Sequence, residues 1–255
     1  AIEVLRAVPW VAAEDTRHTA PLLKHFGSSA RLLAAHEHNE EMAAQQVIAR
    51  LEAGESVALV SDAGTPAVSD PGARLVARVR AAGMKVVPLP GPCAAVAALS
   101  ASGLAEPHFL FYGFLPARGK QREEALRELA PLPYALVFYE APHRIVETVD
   151  SLLAVFGPLR TLVFARELTK LFETIRSLPL GEAPAWLAED ANRQRGEFVL
   201  LVSGAAEAGD DGEGERVLKL LLAEGLPVKQ AAKLASSITG VAKNALYDLA
   251  LSLKE

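Results

Sequence analysis

The sequence has only one cysteine, Cys93, among its 255 residues. A single cysteine excludes an internal disulfide framework and is typical of proteins of the reducing cytoplasm. We find no signal-peptide pattern, and no apolar run is long enough to span a bilayer. The Ala-rich run Cys93–Leu99 is short, so it predicts a buried helix.

Two glycine-rich phosphate-binding motifs are also missing. The sequence contains neither the Gly-Lys-Ser/Thr of a Walker loop nor the G-x-G-x-x-G of dinucleotide-binding proteins, which argues against both ligand classes. The formal net charge of −5 argues against non-specific nucleic-acid binding, which depends on neutralising phosphates. Residues 216–255 carry six Lys or Arg against three acidic residues, so any nucleic-acid contact would be local.

Strand-like apolar runs alternate with helical patterns along most of the chain. The predicted strands are Trp10–Ala13, Val57–Val60, Val86–Leu89, Phe109–Phe111, Ala135–Tyr139, Thr161–Ala165 and Phe198–Val202. The predicted helices are Thr19–His25, Asn39–Ala53, Ala73–Ala82, Ala94–Ser102, Gln121–Ala130, Arg144–Val155 and Trp186–Asn192. This alternation predicts an α/β fold whose parallel or mixed sheets are covered by helices on both faces.

We divide the chain into two α/β domains, a linker and a helical domain. The segment "GFLPARGK" interrupts the alternation, so the α/β domains are placed at residues 1–115 and 116–204. Residues 205–215 are acidic and glycine-rich, which predicts a flexible linker, and three helical patterns predict a helical domain over 216–255. The chain opens inside a helix-like pattern rather than on a strand, so we infer that an N-terminal strand and loop are missing from it.

Five polar, turn-rich segments follow predicted strands, and ligands of open α/β sheets bind beyond the carboxyl ends of strands. The richest in turn residues is "SDAGTPAVSDPG", residues 61–72. Ser69 or Asp70 can cap the next helix. Capping leaves residues 62–65 unexplained, and small residues there would let a ligand approach the backbone. In the second segment, "PGPCAA", Cys93 has no activating base beside it in the sequence, so a buried side chain is the favoured interpretation.

Acids, histidines and arginines are concentrated in the other three segments, "AAEDTRHT" (12–19), "YEAPHR" (139–144) and "ARELTK" (165–170), and in "HEHNE" (36–40). The H-E-H spacing lacks the further Cys or His of a zinc site, so we predict no metal. Two His/acid clusters indicate catalysis or substrate contact. Arginine suits phosphate binding, and an ion pair of Arg144 with Glu140 or Glu147 is the alternative interpretation.

A family resemblance is carried by the segments "AAEDTRHT", "HEHNE", "ALVSDAGTPAVSDPGARLV", "PLPGPCAAVAALSASGL", "GFLP", "FYEAPHRI", "ARELTK" and "RGEFVLLV". In order and spacing they resemble the ribosomal RNA small subunit methyltransferase I family of the tetrapyrrole methylase superfamily. The resemblance covers about residues 4–203, and the helical C-terminal piece resembles the family's short C-terminal domain. The family's first strand ends in a Thr-Pro-Ile-Gly-Asn-type loop, which this sequence does not contain.

The resemblance implies two α/β domains of tetrapyrrole-methylase type that hold S-adenosylmethionine in the cleft between them, usually in a homodimer. The implied reaction is methylation of the ribose 2′-hydroxyl of a cytidine in the decoding region of small-subunit (16S) rRNA. The implied cofactor-binding residues are Asp62, Ala63, Gly64, Thr65, Val68, Cys93, Ala94, Tyr139, Glu140, Ala141 and Leu168. For RNA backbone, the predicted contacts are Arg17, Arg144 and Lys170.

A ribose hydroxyl is a poor nucleophile until a base takes its proton. The candidate bases are Asp15, His18, His36 and Glu140, and the sequence does not choose among them. An alternative function with the same cofactor is methylation of a precorrin- or uroporphyrinogen-type tetrapyrrole, but "AEDTRHT", "YEAPHR" and the helical C-terminus favour rRNA. A nucleic-acid-binding regulator is disfavoured because it leaves the five strand-end segments without a role.

Overall fold

The computed structural model describes residues 1–205, 213–239, 241 and 243–253. The chain forms two compact units, one of residues 1–129 and 135–203 and one of residues 130–134 and 204–255. No helix in the described ranges is both long enough and apolar enough to cross a bilayer. Of the predicted linker, residues 206–212 lie outside the described residues, and residues 213–215 belong to a helix.

A parallel sheet occupies the N-terminal part of the first unit. Its strands are β1 (Trp10–Ala13), β2 (Arg31–Ala34) and β3 (Val57–Val60), in the order β2-β1-β3. The helices of this part are α1 (Ile2–Ala7), α2 (Thr16–His25), α3 (Glu40–Glu52) and α4 (Ala73–Ala81). Because successive side chains of a strand point to opposite faces, Val11 and Ala13 pack with Leu23 of α2. Ala12 packs on the other face with residues of α3 and α4.

A mixed sheet of five strands follows in the same unit. Its strands are β4 (Phe109–Phe114), β5 (Ala135–Glu140), β6 (Thr161–Arg166), β7 (Thr174–Pro179) and β8 (Phe198–Val202), in the order β4-β5-β8-β6-β7. Strands β4 and β5 are parallel, and β8 runs antiparallel to both β5 and β6. The helices of this part are α5 (Ala94–Ser102), α6 (Gly119–Leu129), α7 (Ile145–Phe156) and α8 (Ala183–Glu189). The predicted α/β class with parallel and mixed sheets is confirmed.

Helix α5 covers one face of the five-stranded sheet. Ala95 and Ala98 of this helix share a buried cluster with Val137, Val163 and Val199 of three strands. Alanine favours the helix, and its short side chain lets α5 lie close to the sheet. The segment that leads into α5, residues 84–93, is therefore fixed at its C-terminal end by packing on the second sheet.

The structure corrects several predicted elements. Residues 86–89 are not a strand: no strand of the described residues pairs with this segment, and Val86, Val87 and Leu89 are exposed. Strands β2 and β7 were not predicted, because their exposed positions interrupt the apolar pattern. Strand β4 pairs with β5, so the change from the first sheet to the second falls before residue 109, upstream of the predicted boundary at 115/116.

Helix α4 is capped from another helix, not by Ser69 or Asp70 as predicted. The cap residue is Gly72, and neither Ser69 nor Asp70 provides a side-chain cap bond. The carboxylate of Glu40, the first residue of α3, accepts hydrogen bonds from Gly72 N–H at 3.1 Å and Arg74 N–H at 3.0 Å. Glu40 is 8% exposed, so a nearly buried carboxylate satisfies two N–H groups that the helix itself leaves without partners.

The second unit contains three helices in its described part. They are α9 (Glu213–Ala223), α10 (Val228–Thr239) and α11 (Lys243–Ser252). Three alanines of α10 are fully buried and pack against Leu218 of α9 and Leu246 of α11. The predicted helical composition of the C-terminal region is thereby confirmed.

Replacing Glu40 by Ala is expected to lower the free energy of unfolding by about 1–3 kcal/mol, because two backbone donors lose a buried partner. Glu41→Ala is the matched control, since the neighbouring Glu41 forms a surface ion pair with Arg78, which is worth about 1 kcal/mol or less. Urea denaturation of both variants measures the difference. Equal losses would contradict the assigned cap.

Candidate active site

The loops that follow β1, β2 and β3 leave the first sheet at one edge. The three strands are parallel, and Ala13 is in register with Ala34 on one side and Val60 on the other. Three of the sequence segments singled out above, those around Asp15, His36 and Asp62, therefore begin at the same level of the sheet. This is the edge at which open α/β sheets bind ligands.

Two of these loops are joined by reciprocal hydrogen bonds. Asp15 N–H donates to Asp62 Oδ1 at 3.1 Å, and Asp62 N–H donates to Glu14 Oε2 at 3.2 Å. The second oxygen of Asp62 lies 3.6 Å from His18 Nδ1. Asp62 thus holds the two loops together and also faces an imidazole, which leaves Nε2 of that ring for another partner.

The carboxylate of Asp15 is engaged by Arg17. It caps α2 by accepting from Arg17 N–H at 2.8 Å, and it pairs with the Arg17 guanidinium at 2.6 Å. The side-chain hydrogen bond from Arg17, followed by that backbone bond, holds the pKa of Asp15 far below its ordinary value. Such a carboxylate is a weak proton acceptor, so the geometry argues against Asp15 as the base.

The same three residues offer a possible set of metal ligands. One ligand atom from each of Asp15, His18 and Asp62 lies within 4.8 Å of the others. Arg17 and the Asp15 N–H group already occupy these two carboxylates, so their charges and lone pairs have protein partners. His36 is not part of this group: it is exposed, and its ring centroid lies 6.2 Å from that of His38.

In the loop after β3, the backbone of the small residues Ala63 and Gly64 is accessible to a ligand. Ala63 and Gly64 are exposed, Ser61 Oγ donates to Ala63 O at 2.8 Å, and Gly64 adopts φ +66°. A Cβ atom built on Gly64 would find only Pro92 O, at 4.0 Å, so the space beside this backbone is open. Thr65 Oγ1 donates to Pro92 O at 2.7 Å, which ties the loop to the segment before α5. Val68 N–H donates to Thr65 O at 3.2 Å and closes a turn.

Asp70 is a further candidate for the site, although the sequence pattern assigned it to helix capping. Burial, and after it the neighbouring carboxylate of Glu14, raise the pKa of Asp70, and Asp62 adds to the effect. Perturbed carboxyl groups of this kind cluster at functional sites. The repetition of the Ser-Asp pair within 61–72 was the available signal, but helix capping explained it equally well.

Strands of the second sheet bring further segments to one edge. Glu140 at the end of β5 and Arg166 at the end of β6 both pair with Phe198 at the start of β8, and Arg166 also pairs with Thr174. Residues 113–116, 139–144, 165–170 and 195–198 accordingly meet at this edge. These segments are far apart in the sequence, and the pairing of the strands brings them close together in space.

Cys93, Tyr139 and Leu168 lie against the same buried cluster under α5. Tyr139 Oη accepts a hydrogen bond from Ala95 N–H at 3.2 Å, one residue after Ala94, where α5 begins. Burial raises the pKa of Tyr139. Three of the residues implied as cofactor contacts are thus neighbours in the fold.

Glu140 does not have the surroundings of a catalytic base. Its side chain is fully buried beside the guanidinium of Arg144, with Nε 3.2 Å from Oε1. Thr148 Oγ1 donates to Oε2 at 2.6 Å, and Ala141 N–H donates to Oε1 at 2.8 Å. Both carboxylate oxygens have protein partners, which argues against the expectation that Glu140 acts as a base. Its carboxylate instead links the end of β5 to Arg144 and to Thr148 of α7.

The predicted RNA-binding cations have different exposures. Arg144 is turned inward, its side chain 17% exposed, and Nη2 donates to Leu115 O at 2.7 Å and Pro116 O at 3.3 Å; these partners argue against RNA contact. Lys170 lies at the surface and pairs with Glu167 at 2.8 Å and Glu197 at 3.0 Å. Arg17 projects into solvent with 89% of its side chain exposed.

Comparison with protein families gives two matches. Residues 1–184 match the family of Tetrapyrrole (Corrin/Porphyrin) Methylases, and residues 208–254 match the RsmI C-terminal HTH domain. Among curated proteins, the chain is 54% identical to "Ribosomal RNA small subunit methyltransferase I" of Pseudomonas aeruginosa, covering 98% of this chain and 90% of that protein. It is 52% identical to the protein of the same name from Vibrio cholerae, with coverage of 97% and 86%.

Solved structures share the fold at low sequence identity. The methyltransferase CobJ superposes with a TM-score of 0.58 at 22% identity, covering 80% of this chain and 86% of that one. Uroporphyrin-III-C-methyltransferase from Thermus thermophilus superposes with a TM-score of 0.55 at 22% identity, with coverage of 89% and 90%. These matches establish the architecture and do not extend to the reaction.

Glu140→Ala is expected to lower the free energy of unfolding by about 3–5 kcal/mol, because it leaves a buried guanidinium without its counter-charge. Glu123→Ala is the control, since Glu123 forms an exposed pair with Arg127 one helical turn away and its loss costs about 1 kcal/mol or less. Denaturant titration followed by circular dichroism measures both. A Glu140 variant as stable as the control would restore the carboxylate as a catalytic candidate.

Proposed function

The protein belongs to the ribosomal RNA small subunit methyltransferase I family of the tetrapyrrole methylases, and we propose that it methylates the ribose 2′-hydroxyl of a cytidine in the decoding region of small-subunit (16S) rRNA, using S-adenosylmethionine. The observation that carries the proposal is the link between Thr65 and Pro92. It joins the loop of the first sheet to the segment that leads into α5, which packs on the second sheet.

The open backbone of residues 62–65 fits a cofactor held by main-chain groups and shape. When bound, S-adenosylmethionine supplies an electrophilic methyl group on a sulfonium. The residues proposed to hold it are Asp62, Ala63, Gly64, Thr65, Val68, Cys93, Ala94, Tyr139, Ala141 and Leu168, with Glu140 contributing through its backbone alone. Holding both reactants in line supplies much of the rate of such a displacement.

We propose His18 as the base, oriented by Asp62. Imidazole is the side chain best suited to proton transfer near neutral pH. The 3.6 Å approach of Asp62 Oδ2 to His18 Nδ1 supports this choice, because it leaves Nε2 free to accept a proton. Asp15 and Glu140 have cationic partners at their carboxylates, and His36 packs edge-on against His38.

Arg17 and Lys170 are the proposed contacts to RNA phosphate. Arg17 is the more exposed of the two. The proposal also includes a homodimer and a cytoplasmic location. Exposed aromatic residues on the edge strand β4, Phe109 at 47% and Phe114 at 50%, support self-association, and the single cysteine fits a reducing compartment.

A methyl-transfer assay with labelled cofactor tests the function. We expect label in the RNA of small ribosomal subunits purified from cells that lack this enzyme, and none in uroporphyrinogen. Nuclease digestion of the product, followed by mass spectrometry, locates the methyl group on ribose or base. Label in the tetrapyrrole with none in RNA would establish the alternative function and overturn the proposal.

His18→Ala is expected to lower kcat by about 10²- to 10⁴-fold, the range for loss of a general base, with an unchanged dissociation constant for S-adenosylmethionine measured by calorimetry. His25→Ala is the matched control, because His25 lies at the other end of the same helix, where its ring packs against Phe26. The two variants should differ in kcat and agree in cofactor affinity. A His18 variant with wild-type kcat would exclude this residue as the base.

A further inference from the structure

The loop between β6 and β7 presents two large apolar side chains to solvent. Leu171 is 90% exposed and Phe172 is 66% exposed. This loop starts at the edge where Arg166 and Glu140 both pair with Phe198, so it borders the proposed active site. Single exposed hydrophobic residues are common, but two adjacent ones at a functional edge call for a partner.

The loop is held in one conformation by unusual backbone geometry. Glu167 and Thr169 are non-glycine residues with φ of 52° and 64°, a region that persists only where surrounding bonds over-determine it. Glu167 N–H donates to Glu197 O at 2.9 Å, and Glu197 N–H returns a bond to Glu167 Oε1 at 2.9 Å. Thr169 N–H donates to Glu173 Oε2 at 2.6 Å. Leu171 and Phe172 are therefore exposed on a fixed loop.

Arg166 and Gly196 hold the two ends of this loop. Arg166 donates through Nη1 to Phe172 O at 3.1 Å and through Nε to Arg195 O at 2.6 Å. A Cβ atom on Gly196 would lie 2.5 Å from Glu167 Cγ, so the close approach of these two segments requires glycine. The backbone of Phe172 is thus positioned by the partly exposed side chain of Arg166.

The surroundings of Phe172 are positive in a chain that is negative overall. Residues 166–176 and 193–197 together contain five Lys or Arg and three Glu, whereas the whole chain has 26 basic and 31 acidic residues. Lys170 pairs with Glu167 and Glu197, and Arg193 pairs with Glu189. The positive charge of this surface therefore comes from Arg166, Arg176 and Arg195. Arg176 on β7 is exposed. An apolar surface set among cations matches single-stranded RNA, which offers a base to stack and phosphates to pair.

We propose that Leu171 and Phe172 form a platform on which an unpaired base of the RNA substrate stacks, beside the nucleotide that is methylated. This inference rests on the proposed function and adds a substrate contact to it. A second copy of the chain is the weaker occupant, because a two-fold contact through this surface would bring two positive patches together. An RNA base with its phosphates brings the opposite charge.

Phe172→Ala tests the platform against two matched variants. Phe172→Trp keeps an aromatic face, and Leu159→Ala removes an apolar side chain that is even more exposed, at 91%, from the turn after α7. With small ribosomal subunits, Phe172→Ala is expected to raise KM about 5- to 150-fold, as stacking energies of single bases indicate. Phe172→Trp and Leu159→Ala should keep the wild-type KM, and all three should keep the wild-type dissociation constant for S-adenosylmethionine.

Salt dependence separates stacking from charge. With a single-stranded oligoribonucleotide, Phe172→Ala should weaken binding at every salt concentration and leave the slope of log K against log salt unchanged. Arg176→Gln should make that slope shallower by about 0.7, the value for one phosphate contact on a single strand. A changed slope in Phe172→Ala would contradict stacking.

Two other outcomes overturn the inference. If Phe172→Ala binds RNA as tightly as the wild type does, the platform is excluded. If the wild type sediments as a dimer and Phe172→Ala as a monomer with unchanged RNA affinity, the surface binds a second copy of the chain. Binding and methyl transfer are measured separately. A wild-type protein that binds RNA without methylating it would therefore refute the proposed function, and the affinity of Phe172→Ala would still decide the platform.

Discussion

The carboxylate of Glu140 organises the edge of the second sheet. It lies at the end of β5, accepts from the next backbone N–H and from Thr148 of α7, and pairs with Arg144. Arg144 in turn donates to the carbonyls of Leu115 and Pro116, which follow β4. Burial of a carboxylate costs several kcal/mol unless charge and hydrogen bonds offset it, and here three partners do so. Two strand ends and a helix are thereby fixed relative to one another.

The first sheet uses the same device with other residues. Glu40 satisfies the N–H groups that begin α4, and Asp62 and Glu14 exchange bonds between the loops after β1 and β3. Nucleotide-binding folds commonly line such loops with glycine so that N–H groups face the ligand. In this protein carboxylates take several of these N–H groups, which gives loops of fixed geometry around an open stretch at residues 63–64.

How much the sequence predicted depends on where each element lies. The central strands β1 and β8 were predicted with their observed bounds, because every one of their residues is buried. The edge strands β2 and β7 were missed because most of their residues are exposed or only partly buried. Residues 86–89 are apolar, but no strand of the described residues pairs with them. The local hydrophobic pattern of the sequence predicts which segments are buried, but it does not predict which strands pair.

For the candidate site, too, local features of the sequence were predicted and long-range contacts were not. Turn residues at strand ends identified the segments that meet at the two edges, since a ligand-binding turn has a local composition. The roles of Glu140, Arg144 and Glu40 could not be predicted in this way. Whether a carboxylate is buried among hydrogen-bond partners or solvated depends on segments up to 34 residues away, and the same Glu-Arg spacing on an exposed helix would form an ordinary surface pair.

Paired left-handed residues in two loops have a consequence for engineering. Ala67 and Ser69 adopt φ of 69° and 62°, and Glu167 and Thr169 adopt 52° and 64°. Each such position costs a non-glycine residue about 1 kcal/mol or more, so glycine there would relieve strain in the native state and add flexibility to the unfolded one. A substitution at any of these four positions would therefore change the free energy of unfolding and the shape of a loop that borders the site at the same time.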